Sequence, residues 1–199
     1  MKVVTRRKWG ARPPKSTPTR LGQVATVVIH HDAGSRPTTV AAEEARMRTD
    51  QNYHQSTDYN DIAYAFGIGP SGRVYEGRGW HVQCGATENW NEKSVPIMFM
   101  GNYENDTPTK KQLEKAGKLV RQGIENGSLP KHPTVIGHRD TKATACPGSR
   151  LYMRLGSIKG YSKPAPKTYN IVATKTVEGW KKAKRIIDRL RKRGFKVKR

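Results

Sequence analysis

Three short apolar runs constrain this chain more than any other feature: VATVVIH at residues 24–30, VPIMFM at 95–100 and PTVIG at 133–137. Each is short and apolar, and the first is rich in β-branched residues, so each reads as a strand. Segments with helical spacing lie between them. Residues 38–54 carry Val40, Ala41, Ala45 and Met47 on an apolar stripe. A second helix opens at Thr107 and Pro108, sets Leu113, Ala116, Val120 and Ile124 on one face, and stops at Gly127. Residues 62–68 and 73–76 flank the turn sequence GPSG, which predicts a hairpin with Tyr64 on its first strand. Strands alternating with helices predict an α/β domain, a central mixed β-sheet flanked by helices. Pro96 lacks a ladder donor, so its strand is expected to start there or to lie at an edge.

A chain of 199 residues has room for one well-buried domain and a small appendage. KGYSKPAPK at residues 159–167 has the composition of a linker, which gives residues 1–158 as the main domain. Residues 168–199 then read as a basic strand-helix-strand segment. Its strands fall at 169–174 and 195–198, and Val177, Trp180, Ala183, Ile187 and Leu190 mark one face of a helix closed by Gly194. From residue 159 onward, 15 basic and 2 acidic residues supply +13 of the net charge of +22. That asymmetry points to an anionic partner: nucleic acid, a lipid surface, or wall polymers bearing phosphate and carboxylate. No helix-turn-helix, zinc-finger or RNA-recognition pattern accompanies the charge, which argues against nucleic acid. The opening MKVVTRRKWGARPP lacks the apolar stretch of a secretion signal, and no run approaches the roughly 20 apolar residues of a membrane span. Synthesis in the cytoplasm is the expectation. Two cysteines, Cys84 and Cys146, do not make a disulfide framework.

His30 ends one strand, His138 follows another, and Cys146 lies eight positions later in HRDTKATACPG. Zinc accepts imidazole nitrogen and thiolate sulfur, and a catalytic site keeps three protein ligands and one open position, so this set has the right number and type. Such a centre suits hydrolysis of a poor electrophile such as an amide by water, a poor nucleophile; zinc lowers the pKa of its water to about 7 and polarises the carbonyl. A phenol or hydroxyl nearby can steady the oxyanion, and Tyr64 and Thr144 are the candidates. His31 should face away from His30 on an extended strand. His54, His81 and His132 read as structural, Cys84 as a free thiol, and Asp140 as a carboxylate that holds a ring or loop by hydrogen bonding.

RRKWGARPP, VVIHHDAGS, NYHQSTDYNDIAYAFGIGPSGRVYEGRGW, MFMGNYENDTPT and GHRDTKATACPG followed by LY stand in this order across about residues 3–158. With these segments the chain resembles the type 2 amidase and peptidoglycan recognition protein family, which includes phage endolysins. The resemblance implies that His30, His138 and Cys146 bind zinc and that Tyr64 and Thr144 assist catalysis. It further implies hydrolysis of the amide between the lactyl group of N-acetylmuramic acid and L-alanine of the stem peptide, in the setting of an endolysin released through a partner-made hole. Recognition members that do not cut commonly lack the ligand cysteine, so Cys146 favours an enzyme over a peptidoglycan-binding module of the same fold. Ala63, Ala65 and Thr87 depart from the family's usual glycine, polar residue and histidine, and the last two are expected near the substrate. The tail is similar to half of a sporulation-related peptidoglycan-binding repeat, which implies retention on an anionic wall.

Overall fold

The computed structural model describes residues 1–162 and 177–193. Strands β1 (Thr26–His31), β2 (Phe66–Ile68), β3 (Val74–Glu76), β4 (Ser94–Phe99) and β5 (Thr134–Gly137) form one sheet in the order β3-β2-β4-β1-β5. β1 lies parallel to both β4 and β5, β2 is parallel to β4, and β3 is antiparallel to β2, so the sheet is mixed as expected. The helices are α1 (Arg6–Trp9), α2 (Val40–Ser56), α3 (Lys110–Glu125), α4 (Ser149–Tyr152), α5 (Leu155–Ser162) and α6 (Val177–Lys192).

Strand alternation sorts the apolar side chains into two cores. Val27, Ile29, Val95, Ile97 and Phe99 pack with Leu113, Ala116, Leu119 and Val120 of α3 and Ile158 of α5. Met98 and Met100 join Trp9, Met47, Ile62 and Tyr75 in the other cluster. Each fully buried aliphatic or aromatic side chain contributes about 1.5–3 kcal/mol, so these layers fix the strand ends that the site uses.

Four local expectations are corrected. Pro96 is neither at a strand start nor at an edge, because β4 lies between β2 and β1. Its carbonyl accepts from Ala65 N at 3.0 Å, so the side of the backbone that lacks a donor faces the loop entering β2, and β2 pairs only from Phe66 opposite Ile97 onward. Tyr64 is likewise outside the hairpin strand, in the irregular segment before β2. The cap of α3 is Thr109 rather than Thr107: its hydroxyl accepts from Gln112 N while Gln112 Oε1 accepts from Thr109 N, a reciprocal capping box. On α2 the stripe shifts. Ala41 and Ala45 are exposed, and Glu43, Met47 and Gln51 face inward. The polar members of that stripe are buried because they are fully engaged. Glu43 accepts from Ser71 N and Oγ and from Tyr75 Oη, and Gln51 bridges Arg12 and Asp61.

The chain divides into two compact units, Met1–Lys163 and Pro164–Arg199. α5 continues through Ser162, over the start of the stretch read as a linker. In the second unit α6 is described, with Trp180 and Ile186 exposed and Ala183 buried; the strands expected at 169–174 and 195–198 and the stop at Gly194 lie outside the described residues. Among the described residues no helix is long and apolar enough to cross a membrane.

Candidate metal centre

β1 carries its odd-numbered residues to the α3 core, so His30 points to the opposite side, where it is 2% exposed. β5 pairs with β1 as far as Gly137 opposite Ile29, which delivers the next residue, His138, beside His30; the two ring centroids are 4.4 Å apart. A Cβ on Gly137 would come within 2.8 Å of the Tyr152 ring and 3.1 Å of Pro147, so the close approach of this strand end requires glycine. The chain then makes a tight turn, His138–Asp140. Asp140 Oδ2 accepts from Gly137 N at 2.8 Å and its Oδ1 accepts from Tyr152 Oη at 2.6 Å, which makes it the loop-holding carboxylate that was expected.

Cys146 comes back to the same place on a braced loop. Thr144 Oγ1 accepts from Cys146 N at 3.2 Å, and Arg139 Nη2 donates to Ala145 O and to Glu104 Oε1. His31 N donates to Cys146 Sγ at 3.4 Å, and His30 Nδ1 lies 3.6 Å from the same sulfur. The ligand atoms of His30, His138 and Cys146 all fall within 4.8 Å of one another. His31 turns the other way as expected, its Nδ1 accepting from Tyr103 N at 3.2 Å.

Burial shapes the protonation of the cluster. It holds His30 well below the usual imidazole range, with His138 adding to the effect, and lowers His138 as well, with Lys142 contributing. Both rings are therefore neutral near pH 7, the form that offers a lone pair. Burial pushes the Cys146 thiol up to about 11, against the opposing pull of His31 N–H and Arg139. His138 Nε2 is buried with no hydrogen-bond partner among the described residues. A buried polar atom without a partner costs about 1–3 kcal/mol, and a metal ion among these nitrogen and sulfur donors is a partner of the right chemistry.

Tyr64 stands beside the cluster, its ring centroid 5.6 Å from His30 and 5.6 Å from His54. Burial raises its phenol well above the ordinary value, so it keeps its proton and can donate. Thr144 uses its oxygen on the Cys146 backbone, which leaves the hydroxyl proton to donate.

Two positions expected near the substrate are instead buried. Ala65 is 0% exposed in the α3-side core, and Thr87 is 0% exposed with Oγ1 3.0 Å from His30 Nε2. His54, read as structural, packs between Tyr59 and Tyr64 on the edge of the site, and His81 Nε2 pairs with Ser128 Oγ at 3.1 Å. Cys84 is a free, buried thiol. The residues not anticipated are Glu104 and Arg139, which brace the cysteine loop; Arg139 adjoins His138 in sequence, but nothing in the sequence pairs it with a glutamate 35 positions away.

This is a mixed five-stranded α/β domain with two imidazoles and a thiol converging at the ends of two adjacent parallel strands. Residues 20–149 match the N-acetylmuramoyl-L-alanine amidase family, and the chain belongs to that family of type 2 amidases and peptidoglycan recognition proteins. It is 37% identical to peptidoglycan-recognition protein SC2 of Drosophila simulans over 151 residues, 75% of this chain and 82% of the relative. Identity to peptidoglycan recognition protein 1 of Mus musculus is 40% over 162 residues, 80% of this chain and 88% of the relative. Drosophila PGRP-LB superposes with a TM-score of 0.76 at 34% identity, covering 78% of this chain and 93% of that one. Peptidoglycan recognition protein-LE, solved in complex with tracheal cytotoxin, a monomeric diaminopimelic acid-type peptidoglycan, gives 0.76 at 33% identity over 78% and 92%.

Proposed function

We propose that this protein is a zinc-dependent N-acetylmuramoyl-L-alanine amidase that hydrolyses the amide between the lactyl group of N-acetylmuramic acid and L-alanine of the stem peptide. The observation that carries the reading is the convergence of His30, His138 and Cys146, whose ligand atoms lie within 4.8 Å of one another, on a His138 ring whose Nε2 has no partner among the described residues. These three residues would hold the ion. When bound, zinc supplies Lewis acidity at the scissile carbonyl and makes water a competent nucleophile near neutral pH. The Tyr64 hydroxyl, which makes no hydrogen bond among the described residues, donates to the oxygen on which negative charge develops. Thr144 shapes the cysteine loop through its bond to Cys146 N and offers its own proton to the same charge. Burial of His30 beside Tyr64 keeps bulk water from competing for these donors.

The test is release of new amino groups from purified peptidoglycan. Chelation abolishes it, added zinc restores it, and mass spectrometry finds free stem peptides beginning with L-alanine. Unimpaired turnover by Cys146→Ser would remove the site assignment. Recognition without cutting is the second reading, supported by the names of the relatives and by the neighbour in complex with a peptidoglycan fragment. It predicts retention on insoluble peptidoglycan with no amino groups released over hours.

Two further parts belong to this proposal. The basic tail retains the enzyme on anionic wall polymers, which the charge of residues 159–199 supports; deleting residues 163–199 then weakens wall association more than it slows cleavage of a small soluble muropeptide. Equal loss of both would contradict that division. The setting is that of a phage endolysin made in the cytoplasm, so co-expression with a membrane pore lyses a bacterium and expression without one does not.

A further inference from the structure

We infer that Thr87 is a positioning residue for the metal: its hydroxyl oxygen accepts from His30 Nε2 and so keeps the Nδ1 lone pair turned toward Cys146. The inference rests on the zinc reading above. The two edges of the His30 ring face different neighbours, Nε2 at 3.0 Å from Thr87 Oγ1 and Nδ1 at 3.6 Å from Cys146 Sγ. A neutral imidazole carries one N–H, and the group that accepts it decides which nitrogen is left to ligate. An acceptor at Nε2 therefore specifies Nδ1 as the ligand atom, on the side where the sulfur lies.

Thr87 is built for a fixed position. It is 0% exposed, its backbone N–H donates to Asn91 Oδ1 at 2.9 Å, and its carbonyl accepts from Trp90 N at 2.9 Å. Two residues before it, Gly85 N donates to Ala63 O at 3.0 Å, which ties the same loop to the segment that carries Tyr64. The loop thus spends its hydrogen bonds on holding one hydroxyl against one ring. Outer partners of this kind change metal affinity by roughly 10–100-fold when removed, because the ring loses both its tautomer and its orientation. Valine nearly matches threonine in shape and cannot accept.

Zinc affinity of the full chain, measured by competition with a chromophoric chelator, is expected to fall roughly 10–100-fold in Thr87→Val and to return to within about threefold of wild type in Thr87→Ser. Long-range nitrogen–proton NMR on the metal-free protein reads the tautomer separately: His30 carries its proton on Nε2 in wild type and loses that preference in Thr87→Val. Should the valine variant fail to fold, Thr87→Ala removes the hydroxyl without adding bulk or a metal-binding atom, and carries the same expectation. Unchanged zinc affinity together with an unchanged tautomer would overturn the inference. Absence of zinc binding by the wild type would instead overturn the metal reading, and the NMR result would still decide the bond between Thr87 and His30.

Discussion

Two buried polar clusters of this protein look alike by composition and differ in how their atoms are used. Around Glu43, which is 1% exposed, the carboxylate takes three donors: Ser71 N at 2.7 Å, Ser71 Oγ at 2.7 Å and Tyr75 Oη at 2.8 Å. Around His30 the ring nitrogens and the thiol crowd together, and His138 Nε2 has no partner among the described residues. The first cluster is closed and locks the β2–β3 turn onto α2. The second brings its ligand atoms close enough to hold a metal ion. Satisfied polar groups stabilise the fold, and metal-ligating side chains that converge on a buried nitrogen without a partner form a candidate binding site.

The contrast breaks most sharply at Tyr64. Tyr64→Phe is expected to lower kcat by roughly 10²–10³-fold while zinc affinity and thermal stability stay at wild-type values, because only a donor to developing charge is lost. Steady-state kinetics on a soluble muropeptide checks this. Glu43→Ala should do the reverse. It strands the buried Tyr75 Oη in the interior and costs about 1–3 kcal/mol in urea unfolding, yet the folded fraction binds zinc as tightly as before. A comparable loss of zinc binding would mean the two clusters are not separate.

Asp50 sharpens the comparison from a third side. Burial, with Asp32 adding and Arg46 opposing, raises its carboxyl from 3.8 to about 7. Between those values the native state holds a proton that the unfolded chain has released, so Asp50 lowers stability as pH rises from about 4 to about 7 and has no further effect above that. Asp50→Asn removes this decline and is more stable than wild type at pH 8, by on the order of a few kcal/mol, with little difference at pH 4. Urea titrations at the two pH values decide it. The smallest effect is expected at Glu88, whose ion pair with Lys142 at 2.8 Å joins the Thr87 loop to the cysteine loop on the exposed surface. Glu88→Gln should leave both melting temperature and zinc affinity unchanged, since exposed pairs contribute little.

Much of this was legible in the chain. β-branched runs that stop at a histidine mark strand ends, and the parallel pairing of β1 with β5 then brings His30 and His138 together. What stayed hidden depended on partners distant in sequence. Hydrophobic spacing misplaced the inner face of α2 because Glu43 and Gln51 enter the core with their hydrogen bonds already made. The rule that keeps proline out of central strands failed at Pro96 because its missing donor faces a loop rather than a ladder. The contact of Thr87 with His30 is equally hidden, since nothing local reveals that a threonine 57 residues away closes on that ring.

X-ray absorption at the zinc edge on the reconstituted protein addresses the central claim most directly. One sulfur at about 2.3 Å together with nitrogen or oxygen neighbours at about 2.0–2.1 Å, the sulfur shell vanishing in Cys146→Ala, is the result expected. A spectrum with no sulfur neighbour, or one that the alanine variant leaves unaltered, would contradict it.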